Sequence, residues 1–201
     1  MEIIDISRDL FKTPVYPGDP EGYVDPIQSL RAGDHCNLNS IYTCLHTATH
    51  VDAPLHFIEG GKGIECFEPE IFIGECAVVE APPGPITGAF AEDNFPWRDC
   101  ERLLIKGNGL SYLMESSAYY IVDSGVKLVG TDSQSIGNHG SNSVIHKAIL
   151  SADIPIIEGL DLSNVEPGRY FLMAQPLKLS GDEAAPCRAV LIKDHIFWSG
   201  R

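Results

Sequence analysis

An eleven-residue run constrains the fold of this chain more than any other stretch, because four of its side chains are suited to meet at one point. It extends from His46 to His56 with the spacing His-x3-His-x-Asp-x3-His. On a helical turn His46 and His50 would share one face, and on a strand His50 and Asp52 would share one side. Pro54 disfavours a helical conformation for the residue before it. We therefore expect an extended or turning segment that directs Asp52 towards a shared metal.

The composition of this run indicates a chemical rather than a structural site. It holds three of the seven histidines of the chain and one aspartate, and imidazole with carboxylate is the ligand set expected for zinc, manganese or iron in a hydrolytic site. Structural zinc sites usually depend on cysteine, which the run lacks. A lone histidine is more often a surface or core residue, and His-x3-His pairs arise by chance, but four metal-competent side chains in eleven residues favour the metal. His56, just after the Pro54 turn, is suited to act beside it as a general acid or base.

Length and charge restrict the class of protein. A chain of 201 residues with 44% hydrophobic residues predicts one globular domain over residues 1–201. No apolar stretch approaches about 18 residues, and the first residues have the pattern of a strand and not of a signal peptide. The net charge of −14 argues against nucleic acid and anionic membranes as partners, since both require basic patches.

Cysteine usage points to a reducing compartment. The six cysteines are scattered without a Cys-x-x-Cys pair, which gives little support to a disulfide framework in a domain of this size. We expect reduced thiols and a cytoplasmic protein.

Hydrophobic runs that alternate with Gly/Pro turns predict a strand-rich α/β domain. Strands are predicted at 3–6, 77–81, 103–106, 126–130, 155–160, 170–179 and 188–193, and helices at about 112–124 and 143–150. The segment 81–96 has the composition of a loop, either a surface excursion or a lid.

Two residues outside the run are further metal-ligand candidates. His146 lies on the second predicted helix, and alone it has the character of a structural residue. Glu158 ends the apolar strand Ile154-Pro-Ile-Ile. A carboxylate at the end of a buried strand is costly unless it is paired or bound to metal.

These motifs together resemble the metal-dependent "putative cyclase" family, which includes bacterial kynurenine formamidase and isatin hydrolase. The run from His46 to His56 is similar to the family signature His-x-Gly-Thr-His-x-Asp-x-Pro-x-His, with Ala48 in place of the motif glycine. The similarity extends over most of the chain, through Pro14-Val-Tyr-Pro-Gly-Asp19, Val129-Gly-Thr-Asp132-Ser-Gln-Ser135, Ile154-Pro-Ile-Ile-Glu158-Gly-Leu, and the C-terminal segments Pro167-Gly-Arg-Tyr170, Pro176-Leu-Lys and Arg188-Ala.

The resemblance implies a role for each candidate residue. His46, His50 and Asp52 would bind one metal, and Asp52 would bridge to a second held by His146 and Glu158. The cofactor would be one or two Zn²⁺ ions, with Mn²⁺ as the alternative, and His56 would transfer protons. The implied fold is a β-barrel-like strand core flanked by helices, of the swivelling β/β/α type, and the implied assembly is a homodimer or homotetramer.

The resemblance also implies an activity on a small molecule. N-formylkynurenine, cleaved to kynurenine and formate, is the first candidate substrate, and isatin-type cyclic amides are the second. A dehydratase or cyclase and a non-catalytic metal-binding relative remain the other readings. Tyr16, Phe57 and Phe67 would form an aromatic wall for a planar substrate, although core packing explains any one of them equally well. Tyr16 stands where formamidases often carry tryptophan.

Overall fold

The computed structural model describes residues 1–96, 100–138 and 142–193. Within them the chain forms thirteen strands and three α-helices, which are listed here in chain order. The strands are β1 (Glu2–Asp5), β2 (Tyr23–Gln28), β3 (Leu38–Tyr42), β4 (His50–Asp52), β5 (Ile73–Glu80), β6 (Gly84–Ile86), β7 (Arg102–Lys106), β8 (Ser111–Leu113), β9 (Leu128–Thr131), β10 (Ile156–Glu158), β11 (Gly168–Met173), β12 (Ala184–Pro186) and β13 (Val190–Lys193). The helices are α1 (Gly88–Asn94), α2 (Glu115–Asp123) and α3 (Asn142–Leu150).

One nine-stranded sheet, curled into a half-barrel, organises the molecule. Its strand order is β1-β13-β11-β5-β7-β9-β10-β4-β12. The central strands β5, β7, β9 and β10 are parallel, and the strands on either side pair antiparallel. Strands β2 and β3 form a separate hairpin, and β6 pairs with β8. The predicted α/β class, with a strand core and flanking helices, is confirmed.

The parallel strands explain where the helices lie. Parallel neighbours need crossover connections, and α1, α2 and α3 lie in the connections β5–β7, β7–β9 and β9–β10. Strand β7 is buried on both faces: Leu103 and Ile105 pack in the cluster that contains the buried residues of the helices, while Leu104 packs in the other cluster. This explains why these strands have near-continuous apolar sequences instead of alternating ones.

Most predicted elements are found within a few residues of their expected bounds, but the strand predicted over 170–179 ends at Met173, and two further assignments are wrong. The segment 81–96 is not a loop, since it contains β6 and α1, and the Thr87 hydroxyl accepts a hydrogen bond from Phe90 N to cap the helix. The first predicted helix begins at Glu115 rather than at residue 112, because Ser111–Leu113 pairs with β6. None of the helices in the described part of the chain is long and apolar enough to cross a lipid bilayer.

Candidate metal centre

Strand pairing brings together candidate residues that lie about a hundred positions apart. His50 and Asp52 are on β4, which pairs antiparallel with β10 so that Glu158 lies directly opposite His50. Residues two apart on a strand share a face, and directly paired residues do as well. Helix α3 brings His146 to the same place, and His146 is buried there together with all three of these strand residues.

Asp52 lies at the centre of this cluster, and its two oxygens face different partners. Asp52 Oδ1 lies 3.0 Å from His46 Nδ1 and 3.3 Å from His50 Nε2. Asp52 Oδ2 lies 3.4 Å from His146 Nε2. Glu158 joins both sides, with Oε1 3.1 Å from His146 Nε2 and Oε2 3.7 Å from His50 Nε2. The two Asp52 oxygens therefore face different histidines, and Glu158 also contacts one histidine on each side.

The chemistry of this cluster fits a divalent metal. Among the described residues, both oxygens of the fully buried Asp52 and Nε2 of His50 lack a hydrogen-bond partner. Unpartnered buried polar atoms are costly. Ligands 2.0–2.2 Å from a tetrahedral ion lie roughly 3.3–3.6 Å from each other, and the separations above are close to this spacing. The side chains of His50, Asp52 and Glu158 offer atoms within 4.8 Å of one another, as do those of His46, Asp52 and His56.

The cluster is also suited electrostatically to hold positive charge. Burial alone lowers the pKa of His50 and His146, but the carboxylates of Asp52 and Glu158 outweigh it and raise the pKa of His50 to about 8 and that of His146 to about 10. Burial raises the pKa of Asp52, but contacts with His50, His146 and His46 hold it well below its usual value. Without metal, protons on His50 and His146 therefore supply the positive charge that balances the carboxylates of Asp52 and Glu158.

Contacts behind the cluster fix the orientation of its ligand atoms. Nδ1 of His50 lies 3.0 Å from the carbonyl oxygen of Ala48, and Nδ1 of His146 lies 2.9 Å from that of Asn142. A carbonyl can only accept, so each Nδ1 carries the hydrogen and Nε2 presents its lone pair to the cluster in the neutral ring. Glu158 Oε1 accepts hydrogen bonds from Ile136 N and the Ser135 hydroxyl.

The backbone conformation at Ala48 explains why the family motif has a glycine at this position. Ala48 has φ = 59°, in the left-handed region that costs an L-residue about 1–2 kcal/mol. Its carbonyl oxygen is the one that lies beside His50. Glycine would reach this conformation without strain, so the alanine here stores a small strain next to the cluster.

His56 lies at the edge of the cluster and is electrostatically distinct from the other histidines. Its ring centroid is 4.1 Å from that of His46 and 4.2 Å from that of Phe57. Burial lowers the pKa of His56 to about 4, and the neighbouring His46 and His146 act in the same direction against the opposing carboxylate of Asp52. The ring is therefore neutral at pH 7. The close approach to His46 and Asp52 also puts His56 within reach of a metal in that set.

A cavity of about 210 Å³ opens onto the cluster. Tyr16 and Phe57 both line it, as the aromatic-wall interpretation requires, but Phe67 does not, because it packs against Phe72 and the core on another side. The other lining residues are Asp19, His46, His56, Gln134, Ser135, Asn142, His146 and Glu158. Asp132 lies in the same segment as Gln134 and Ser135, but its side chain caps a turn. Its carboxylate accepts hydrogen bonds from the backbone N–H groups of residues 107–109.

Sequence reasoning missed Glu183, whose Oε1 lies 3.4 Å from His46 Nε2. The pairing of β12 with β4 sets Ala184 opposite Asp52 and so brings Glu183 to the cluster. No local pattern in the sequence signals that pairing. Asp19, Gln134 and Asn142 were also missed as cavity residues.

Comparisons with known proteins agree with the geometry. The sequence model described as "Putative cyclase" matches residues 4–106. The chain is 37% identical to the kynurenine formamidase of Salinibacter ruber (strain DSM 13855 / M31), over 95% of this chain and 97% of that protein. It is 34% identical to the kynurenine formamidase of Erythrobacter litoralis (strain HTCC2594), over 94% and 93%.

Solved structures share the fold. A protein described as a potential metal-dependent hydrolase with cyclase activity superposes with a TM-score of 0.80 at 30% identity, covering 94% of this chain and 96% of the other. Isatin hydrolase A from Ralstonia solanacearum superposes with a TM-score of 0.81 at 18% identity, covering 96% and 92%. At that identity the second likeness is evidence of a common fold.

Proposed function

Because the chain belongs to the putative cyclase family, as its sequence motifs predicted, we propose that it is a metal-dependent hydrolase of small aryl formamides. N-formylkynurenine is the first candidate substrate, since the relatives similar over nearly their whole length are named kynurenine formamidases. The observation that carries the proposal is the buried Asp52, whose unpartnered oxygens face two groups of histidine and carboxylate ligands.

We assign the metal ligands from these contacts. His46, His50 and Asp52 would hold one ion, and Asp52, His146 and Glu158 would hold a second, with Zn²⁺ as the expected metal and Mn²⁺ as the alternative. The division of the Asp52 oxygens between the two sets supports two positions. A divalent ion in such a site supplies Lewis acidity and lowers the pKa of water towards neutrality.

The side chain that moves protons in this proposal is His56. Hydrolysis adds water across the formamide C–N bond, so that formate and an aryl amine leave. The neutral imidazole of His56 accepts a proton from the attacking water and then donates it to the departing aryl nitrogen. Such general acid–base transfer contributes typically 10²–10⁴-fold to the rate. The low pKa of His56 keeps its ring available as an acceptor at pH 7.

Tyr16 and Phe57 would position the aryl group. They line the same cavity as His56, and Phe57 is held in place between His56 and His146, with ring centroids 4.2 and 4.7 Å away. A planar ring bound beside these aromatics would bring its formamide towards Asp52 and His56. Water is limited there by the burial of the cluster itself.

The decisive experiment separates proton transfer from metal binding. His56→Ala should lose about 10²–10⁴-fold in turnover of N-formylkynurenine while retaining its metal, measured by formate release and by metal analysis. Asp52→Asn should lose the metal. His35→Ala, an exposed histidine outside the cavity, is the matched control and should retain both properties.

Four results would refute parts of the proposal. If His56→Ala also lost its metal, His56 would be a ligand and not the proton carrier. If the metal-loaded protein released no formate but opened isatin-type cyclic amides to a new acid, the substrate would be the second candidate. Loss of water alone would indicate a dehydratase or cyclase, and metal binding without any turnover would indicate a non-catalytic relative.

A further inference from the structure

His46 presents a different ring nitrogen to the cluster from His50 and His146. Its Nδ1 lies 3.0 Å from Asp52 Oδ1, whereas the other two rings approach the carboxylates through Nε2. In His50 and His146, Nδ1 is held by a backbone carbonyl oxygen. If His46 offers the lone pair of Nδ1 to a metal, its hydrogen must be on Nε2, and that hydrogen needs an acceptor of its own.

Glu183 lies where this acceptor is needed. Its Oε1 is 3.4 Å from His46 Nε2, on the side of the ring opposite to the nitrogen that faces Asp52. The contact is longer than the roughly 2.7–3.2 Å of an N–H···O hydrogen bond. The Glu183 side chain is 39% exposed and flexible, so a rotation of that side chain closes the difference without any movement of the backbone.

The backbone of Glu183 is fixed beside the cluster, although its side chain is partly exposed. Its carbonyl oxygen accepts a hydrogen bond of 2.8 Å from Ala53 N. The next residue, Ala184, lies opposite Asp52 in the β12–β4 pair, and both Ala53 and Ala184 are fully buried. The side chain of Glu183 therefore starts from an anchored position and has only to orient towards His46.

The same geometry argues against Glu183 as a direct ligand of the ion assigned to His46, His50 and Asp52. An imidazole that offers one nitrogen to an ion directs the other nitrogen away from it. Glu183 is beside the nitrogen that is directed away, so its carboxylate contacts the ligand and not the ion.

We propose that Glu183 is the positioning residue of His46, and that it accepts the Nε2 hydrogen and so keeps Nδ1 directed at the metal position. This role rests on the metal positions assigned above. A carboxylate partner of this kind orients a ligating imidazole and raises its basicity, and its loss typically lowers metal affinity by about 10–100-fold. Because the contact is with His46, only the position that His46 serves should weaken.

The affinity of each metal position tests this role. Competition with a chelator of known affinity should show two Zn²⁺ ions per chain in wild type. Glu183→Ala should weaken one of them by about 10–100-fold and leave the other within about threefold. Glu183→Gln keeps an oxygen acceptor and should recover most of the loss. Asp182→Asn is the matched control, because it removes a charge from the neighbouring half-buried residue, and it should change neither affinity.

The ring hydrogens provide a readout that a purely structural role of Glu183 would not change. In the NMR spectrum of Zn²⁺-loaded protein with isotope-labelled histidine, the Nε2 hydrogen of His46 should be protected from exchange with water. Glu183→Ala should lose that signal. The Nδ1 hydrogens of His50 and His146, whose acceptors are backbone carbonyls, should keep theirs.

The failure of this inference is distinguishable from failure of the proposed function. Unchanged affinities in Glu183→Ala, or a hydrogen on Nδ1 of His46, would overturn the role of Glu183 and leave the metal centre in place. Loss of a whole ion in Glu183→Gln would make Glu183 a ligand, and equal weakening of both ions would make its role structural, so each of these results overturns the inference too. A wild type that binds no metal would overturn the proposed function together with it.

Discussion

Gly159 follows Glu158 in the chain and lies so close to Ala48 that a methyl group added at Gly159 would not fit. Its φ is +66°, and a Cβ atom there would overlap the carbonyl oxygen of Ala48 and lie 2.8 Å from its carbonyl carbon. Two hydrogen bonds hold this residue: Gly159 N donates to Ser133 O at 2.9 Å, and the Thr49 hydroxyl donates to Gly159 O at 2.7 Å. Gly159→Ala must therefore move backbone on one side or the other.

The cost can be estimated from these contacts. The left-handed conformation costs alanine about 1–2 kcal/mol, of which about 0.4–1 is returned by the lower entropy of the unfolded chain. Overlap in a packed region adds about 1–3 kcal/mol, and each weakened hydrogen bond adds about 1 kcal/mol. We expect Gly159→Ala, which weakens two such bonds, to lower the free energy of unfolding by about 3–7 kcal/mol in total.

Urea denaturation measures this loss, and Gly60→Ala is the matched control. Gly60 has φ = +72° with nothing within 4 Å of the added Cβ, so it reports the conformational cost alone, about 0–1.6 kcal/mol. Because the displaced Ala48 carbonyl is the one beside His50 Nδ1, Gly159→Ala should also weaken metal binding, whereas Gly60→Ala should not. Equal losses of stability in the two variants would refute the close packing of Gly159 against Ala48.

Two further predictions concern the protonation of the histidines and the hydrogen bonds of Asp132. The pKa values of His50 and His146 are raised to about 8 and about 10, so both rings are protonated at pH 7 without metal. Binding of metal at both positions should therefore release about two protons, and metal affinity should rise with pH through this range. Calorimetry in buffers of different ionisation enthalpy counts the released protons, and a count of zero at pH 7 would contradict the assignment of these histidines as ligands. Asp132→Ala leaves three backbone N–H groups of residues 107–109 without their acceptor and should cost about 2–4 kcal/mol in urea unfolding, whereas a cost below about 1 kcal/mol would show that water replaces the carboxylate.

The sequence was most informative where the relevant residues are neighbours in the chain. His46, His50, Asp52 and His56 lie in one short run, so their spacing alone predicted convergence. His146 and Glu158 were reachable because a carboxylate that ends an apolar strand is costly to leave unpaired and because the family resemblance gave both a role.

Elements that depend on distant pairing escaped prediction. Glu183 approaches His46 only because β12 pairs with β4 across about 130 residues. The hairpin β2–β3 was missed because its apolar residues do not alternate with polar ones, which is the pattern that marks a half-buried strand. Strand β6 was missed because Pro85 suggested a loop, although an edge strand tolerates proline.

The position of β4 between β10 and β12 has a consequence for how the protein is made. Its partners end at residues 158 and 186, long after the ribosome has added Asp52. At about 5–20 residues per second, roughly 7–27 s separate the synthesis of the central carboxylate from that of its last neighbouring strand. During that interval the nascent chain carries the histidine run without the strands that bury it. The candidate ligand set is therefore complete only once residue 158 has been made, and the strand that completes its burial follows only at residue 186.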